Sequence, residues 1–307
     1  METPLVIILF IVAAVATLAL GLVFRWVDRK VTAMVQWRVG PPIYQPLADV
    51  IKLMGKESMV PVTARGTGFL AAPVVALAAT AVAAAILWMA IFQPQHTFVG
   101  DLIVVVYLLV VPALMTILGA SASGNPHAAV GASREMKLLL SYELPMLMVI
   151  LVAVAKTGWS FQLGSIIHAQ AGSSVAWSIS GALALVVAIL CMQAKLGQVP
   201  FDLAEAECEI MSGVYVEYSG PQLAYWLMTR AMLLALMPLL LVVVFWGGLR
   251  PGWGVLLFLL KYVVLVALVT LIRNTNPRLR IDQTMKFFWF FLTPLGVLAL
   301  LLALAGL

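Results

Sequence analysis

The sequence predicts an all-α integral membrane protein of about eight transmembrane helices, with an amphipathic interfacial helix after the first. Three observations predict it. Of 307 residues, 64% are hydrophobic and only 10% charged, whereas a soluble domain carries about 25% charged residues. The apolar residues fall into long runs, and Lys and Arg gather in every second connection between those runs. Water could not hide so much apolar surface in one core, so lipid must solvate part of it.

The first run, 4–24, is long enough to cross a hydrocarbon core of about 30 Å. A cleaved signal needs a basic start, a shorter apolar run and a small-residue cleavage site. Here Glu2 precedes the run and Arg25 and Trp26 follow it, so it reads as a retained helix. Further runs cover 69–92, 101–122, 137–157, 174–194, 223–246, 253–273 and 286–306. The chain, 1–307, is read as a single membrane domain.

Charge placement sets the expected orientation. The connection after the first run carries Arg25, Arg29, Lys30, Arg38, Lys52, Lys56 and Arg65. Arg134 and Lys137 follow the third run, Lys195 the fifth, and Arg273, Arg278, Arg280 and Lys286 the seventh; the other connections hold Lys156 and Arg250. The positive-inside rule puts the basic connections in the cytoplasm and both termini outside. The expected location is therefore the inner (cytoplasmic) membrane, with the lipid bilayer as a partner and no nucleic acid. Cys191 and Cys208 lie far apart, and His96, His127 and His168 stand in polar stretches. No metal site, haem pair or iron–sulfur motif is expected, so any redox cofactor belongs to another chain.

The basic connections also hold the candidate chemistry. In the first, Gly40-Pro41-Pro42 opposes helix, Pro46 suits the first turn of a new one, and Leu47, Val50, Ile51 and Met54 mark one apolar face. Asp49, Lys52 and Lys56 flank that face, so the helix is expected to lie in the interface. In 195–222, Asp202 reads as an N-cap with Glu205 completing a capping box. On such a helix Asp202, Glu205 and Glu209 share an arc of about 60°, with Glu207 nearly opposite. Helix-start electrostatics account for Asp202 and Glu205 but not for Glu209 and Glu217. Five acids on a basic face point to a proton-collecting surface or a basic partner, because crowded carboxylates raise one another's pKa.

Glu143 lies inside the fourth apolar run, beside Pro145, while Glu135 stands at its boundary. A charge at bilayer depth costs at least about 2.5 kcal/mol and usually faces a polar cavity or a partner; snorkelling to the interface is the competing reading for Glu143. Arg230 and Lys261 admit the same two readings. In the last basic connection Asp282 reads as an N-cap near Arg280, where structural roles are favoured.

These motifs resemble one family. They are Arg-x-Gly-Pro-Pro (38–42) followed by Gln-Pro-Leu-Ala-Asp (45–49), Gly-Ala-Ser-Arg-Glu (131–135), Ser-Tyr-Glu-Leu-Pro (141–145), Val-Pro-Phe-Asp-Leu-Ala-Glu-Ala-Glu-x-Glu (199–209), Glu-Tyr-Ser-Gly (217–220) and Arg-Ile-Asp-Gln (280–283). The chain looks like the subunit-one family of proton-pumping NADH:quinone oxidoreductase, which includes the equivalent subunit of membrane-bound [NiFe] hydrogenases and formate hydrogenlyase. The resemblance implies a protein joining a peripheral redox arm to antiporter-like membrane subunits. It implies ion-coupling roles for Glu135, Glu143, Asp202, Glu205, Glu207, Glu209 and Glu217. Arg38, Asp49, Arg134, Arg280 and Asp282 would stand near the junction with the redox arm. The [NiFe] centre and iron–sulfur clusters would reside on partner subunits, including an iron–sulfur subunit.

The first loop, Arg38-Val39-Gly40-Pro41-Pro42-Ile43-Tyr44-Gln45, resembles the hydrogenase branch; the quinone-reducing branch has a longer form. That branch also tends to carry an acid early in the sixth helix, where this chain has Tyr225-Trp226-Leu227-Met228-Thr229-Arg230. Ser-Tyr-Glu and Arg-Ile-Asp-Gln suit both branches. The expectation is thus a coupling subunit of a hydrogenase-linked ion pump, with a quinone-site subunit and a passive anchor as alternatives. A stand-alone transporter would show an internal repeat, and none is evident.

Overall fold

The computed structural model describes residues 3–64, 66–249 and 253–306, with the side chains of 3–7, 207 and 208 outside the described set. Glu2, which bears on the retained first helix, and Arg65 and Arg250, which bear on orientation, lie outside the described residues. The described chain is all-α, with seven helices long and apolar enough to cross a membrane and one shorter apolar helix.

Helix α1, Thr3–Val35, runs past the expected end of its span at 24, because Arg25, Asp28 and Arg29 find partners elsewhere in the protein. A turn at Trp37 (φ 57°) reverses the chain, and the Trp26 indole donates to the Pro41 carbonyl at 3.0 Å. Helix α2, Gln45–Met54, is the amphipathic element, with Pro46 in its first turn. It buries Pro46 and Val50 on α1 and on the later helix Gly220–Trp246, while Leu47, Ile51 and Met54 stay exposed.

Helix α3 is Gly66–Phe92. The next span divides into α4, Asp101–Leu108, and α5, Val111–Ala122. Pro112 has no N–H for the Leu108 carbonyl, which accounts for the break. Helix α6, Pro126–Lys156, begins well before the expected 137. The Asn125 side chain caps it by accepting from the His127 N–H, and Pro126 fits the first turn. A short α7, Leu163–Ala169, precedes α8, Ile179–Lys195.

Helix α9 is Glu207–Ile210, and α10, Gly220–Trp246, forms the centre of the bundle. Every residue from Ala231 to Phe245 is buried, as befits a helix apolar on all sides. It packs against α1 and α3. A Cβ on Gly21 would collide with the Ala231 carbonyl, so α1 approaches α10 through a small residue. Helix α11, Trp253–Thr275, adds a hydrogen bond from the Tyr262 hydroxyl to the Ala235 carbonyl at 2.9 Å, one turn before Pro238.

The last span comprises α12, Ile281–Lys286, a π turn at Phe287–Leu292 and α13, Thr293–Leu304. Pro294 cannot donate to Phe290, and the Thr293 hydroxyl instead donates to the Phe288 carbonyl at 2.8 Å. Helices α6, α8 and α13 pack together beside the α1–α3–α10 group, with α5 bridging α3 and α6.

Candidate functional site

The acidic segment is not the helix its pattern predicts. From Leu196 to Ala206 the backbone is irregular, and helix appears only in the four residues of α9. The capping box of Asp202 with Glu205 therefore does not form, nor does the shared arc of acids. Burial and separate ion pairs override local propensity. Phe201, Leu203, Ala204 and Ala206 are buried, and the acids between them turn to different partners. Gln193 of α8 donates to the Val199 carbonyl at 2.8 Å, and the Leu279 N–H donates to the Pro200 carbonyl at 3.1 Å. Phe201 packs on Phe287 and Phe288 of the π turn. On the far side Gly131 of α6 lets the segment dock, since a Cβ there would meet the Val214 nitrogen at 2.9 Å.

Three acids of the segment each reach a different arginine. Asp202 accepts from Arg278 at 2.9 Å, Glu205 from Arg230 of α10 at 2.7 Å, and Glu209 from Arg134 of α6 at 2.5 Å. Glu209 is 61% exposed and Asp202 only 16%. Behind the segment lies a polar cavity of about 380 Å³, whose charged lining is Arg25, Asp28, Arg29, Asp202, Glu205, Arg230, Arg273 and Arg278. Asp28 is buried and paired with Arg273.

A second, smaller cavity of about 50 Å³, room for a few waters, adjoins the first. Glu135, Lys195, Asp202, Glu205, Tyr215 and Arg230 line it, so Asp202, Glu205 and Arg230 belong to both cavities. Burial pushes the Glu205 carboxyl above the usual carboxylate range, and nearby Asp202 adds to that, although Arg230 and Arg25 oppose it. Burial likewise pushes the Tyr215 hydroxyl up, with Glu205 contributing. Deeper still, Glu143 of α6 pairs with Lys195 at 3.4 Å, with side chains 21% and 4% exposed. Glu143 thus has a partner and does not stand near a helix start: α6 begins at Pro126, about 25 Å earlier along the axis. Arg230, in its pair with Glu205, takes the partnered reading. Lys261 lines a separate cavity with Trp177 and Trp246.

The other expected residues stand around this core. Glu135 is inside α6, not at a helix boundary, and no hydrogen bond or ion pair reaches it among the described residues. Glu217 accepts from the Asn125 amide. The Glu207 side chain lies outside the described residues. Asp49 accepts from Arg29 at 2.8 Å and from Gln45 at 2.9 Å. Burial opposes ionisation of Asp49, but these bonds and the Arg29 charge outweigh it and hold the carboxyl below its ordinary value. Arg38 is exposed beside the bare side chains of Trp37 and Val39. Asp282 is exposed and is not an N-cap: Arg280 takes that position, and the Gln283 side chain accepts from its N–H at 3.2 Å. Helix geometry at Ile281 already places Asp282 inside the first turn.

Sequence reasoning treated Arg25, Arg29, Lys195, Arg273 and Arg278 as topological charges only, and overlooked Asp28. Their place in the site follows from packing of α1, α8 and α10. The one available signal was the acid inside Arg25-Trp26-Val27-Asp28-Arg29, on a helix that has no other described acid.

The geometry is that of a membrane bundle with an ion-paired polar interior open toward one charged face, and comparison with known proteins places it. The family model for NADH dehydrogenase matches residues 6–304. The H subunit of the NADH-quinone oxidoreductase of Geobacillus thermodenitrificans is 34% identical over 291 residues, covering 90% of this chain and 86% of that protein. Its counterpart in Brevibacillus brevis is 35% identical over 315 residues, covering 95% and 91%. A chain in the structure of the membrane-bound sulfane sulfur reductase, an archaeal respiratory membrane complex, superposes with a TM-score of 0.87 at 28% identity, covering 97% of this chain and 99% of that one. The chain belongs to the subunit-one family of NADH dehydrogenase membrane subunits.

Proposed function

We propose that this chain is the membrane anchor and coupling subunit of a multi-subunit, redox-driven ion pump, and that its 307 residues form a single membrane domain. What carries this is the position of Glu205, held by Arg230 on the wall between the arginine-lined cavity and the smaller one that holds Glu135 and Lys195. Acids that turn inward toward successive polar cavities can exchange protons along a line, which a passive anchor does not need. Asp202, Glu205, Glu207, Glu209 and Glu217 collect protons at the charged face, and Glu135 and Glu143 lead inward. That face is cytoplasmic, in the inner membrane, with both termini outside.

The chain links a peripheral [NiFe] hydrogenase arm, which carries the [NiFe] centre and the clusters of an iron–sulfur subunit, to antiporter-like proton- or sodium-translocating subunits. The short first loop and the absence of an acid in Tyr225–Arg230 favour that arm. Arg38, Asp49, Arg134, Arg280 and Asp282 stand at the junction with it. A quinone-site subunit of an NADH:quinone oxidoreductase is the second reading. The names of the curated relatives favour it, as does a cavity of about 380 Å³ that could admit a polar ring.

The test is made in the purified intact complex, reconstituted into vesicles. Glu205→Gln and Glu143→Gln are each expected to lower ion transport per electron by about tenfold, the scale of general acid–base steps or below, while electron transfer to an artificial acceptor persists. Unaltered transport in both variants, at normal assembly, would return the passive anchor. Hydrogen evolution by the complex supports the [NiFe] arm; NADH-dependent quinone reduction supports the second reading.

A further inference from the structure

One lysine stands in the inward row of acids. Lys195 closes α8, where a basic side chain ordinarily reaches out to the interface or complements the last carbonyls of its helix. Here it folds back into the protein. Its side chain is 4% exposed, its Nζ lies 3.4 Å from Glu143 Oε2, and it sits over the Tyr142 ring at 5.7 Å from the centroid. Its remaining surface lines the smaller cavity with Glu135, Glu205 and Arg230. The Tyr142 hydroxyl is buried with no hydrogen-bond partner among the described residues. Glu135 and Tyr142 are seven residues apart on α6, so they share one helix face.

We propose that Lys195 is a positioning residue of the coupling route: steadied on the Tyr142 ring, its ammonium fixes the charge of Glu143 and so separates the inner acid from the outer ones. This rests on the coupling reading above. The charged and titratable groups that face Lys195 are Cys191 on its own helix, Glu135, Tyr142 and Glu143 on α6, Asp202 and Glu205 on the acid segment, Tyr215 on the turn Gly213–Tyr215, and Arg230 on α10. Arg230 is committed to Glu205, which leaves Lys195 as the cation at Glu143. Without that ammonium a mostly buried carboxylate has no counter-charge, and an unpaired charge in such a place is costly.

The experiment measures ion transport per electron against pH in vesicles of the intact complex, for Lys195→Met, Lys195→Arg, Glu143→Gln and the Met/Gln double variant. Lys195→Met should move the profile to higher pH by about one unit or more, the size of effect an opposite charge within about 4–6 Å exerts. Lys195→Arg should keep the original profile, and the double variant should be no worse than Glu143→Gln alone. Should Lys195→Met fail to assemble, Lys195→Gln takes its place, with the same shift expected. A Met or Gln variant whose profile superposes on the parent overturns the proposal, as does loss of the profile in the arginine variant. If Glu143→Gln stops transport while Lys195→Met leaves it untouched, only the lysine role fails. If Glu143→Gln and Glu205→Gln both change nothing, the coupling reading itself fails.

Discussion

At Glu205 two opposing influences meet, and their balance decides what the residue can do. Burial disfavours the carboxylate, Arg230 favours it, and the net effect is a raised affinity for the proton. A carboxyl that binds its proton more tightly folded than unfolded costs the folded state stability as pH rises above the ordinary carboxylate value of about 4.3. That penalty is absent at lower pH and grows through the window up to the raised value. Glu205→Gln removes this ionisation, so its thermal unfolding midpoint should fall less than the parent's as pH rises above the ordinary carboxylate value. A parallel fall in both proteins would contradict the balance drawn here.

Among the described residues, one ion pair ties α2 to α1. Asp49 binds Arg29 of α1 and Gln45 of its own first turn, and both bonds favour the carboxylate. With its pKa held low, this contribution is full above the ordinary aspartate value and vanishes as pH drops through the lowered one. Asp49→Asn should cost about 1 kcal/mol, because both partners are roughly a third exposed and solvent screens them. Hydrogen–deuterium exchange is the measure: amides of 45–54 should exchange faster in the variant, while those of α10 stay protected.

The same scale explains what the sequence made legible. The apolar runs announced the spanning helices because lipid and bundle both demand long unbroken hydrophobic stretches. Their extensions were hidden. Residues 126–136 read as a polar loop, yet they continue α6, because Asn125 caps it and Gly131 and Ala132 are buried there. Residues 25–30 read as a charged loop and instead continue α1, from which Arg25, Asp28 and Arg29 line the cavity. The acid segment misled most, since a good capping pattern lost to the burial of Phe201, Leu203 and Ala204 and to three separate arginines. Glu143 was found by its improbable setting. Lys195 was not, because a lysine at a helix end is ordinary until its side chain is seen turned inward.

For the whole molecule, charge asymmetry is the governing feature. The face that carries Arg38, Lys52 and Arg134 should be cytoplasmic, and the face that carries Gly172 and Ser173 should be outside. Both ends offer exposed sites for labelling, at Gln36 and at Gly172. In a Cys208→Ser background, a membrane-impermeant maleimide applied to intact cells should label Gly172→Cys. It should reach Gln36→Cys only after permeabilisation. The reverse pattern would invert the orientation and move the acid segment to the outer side.

The π turn has a mechanical consequence. Phe201 of the acid segment rests on Phe287 and Phe288, and the Leu279 N–H ties the same segment to the stretch just before α12. Interiors packed this closely transmit displacement rather than absorb it. A displacement of the π turn would therefore be passed to Phe201 and the acid segment that it carries.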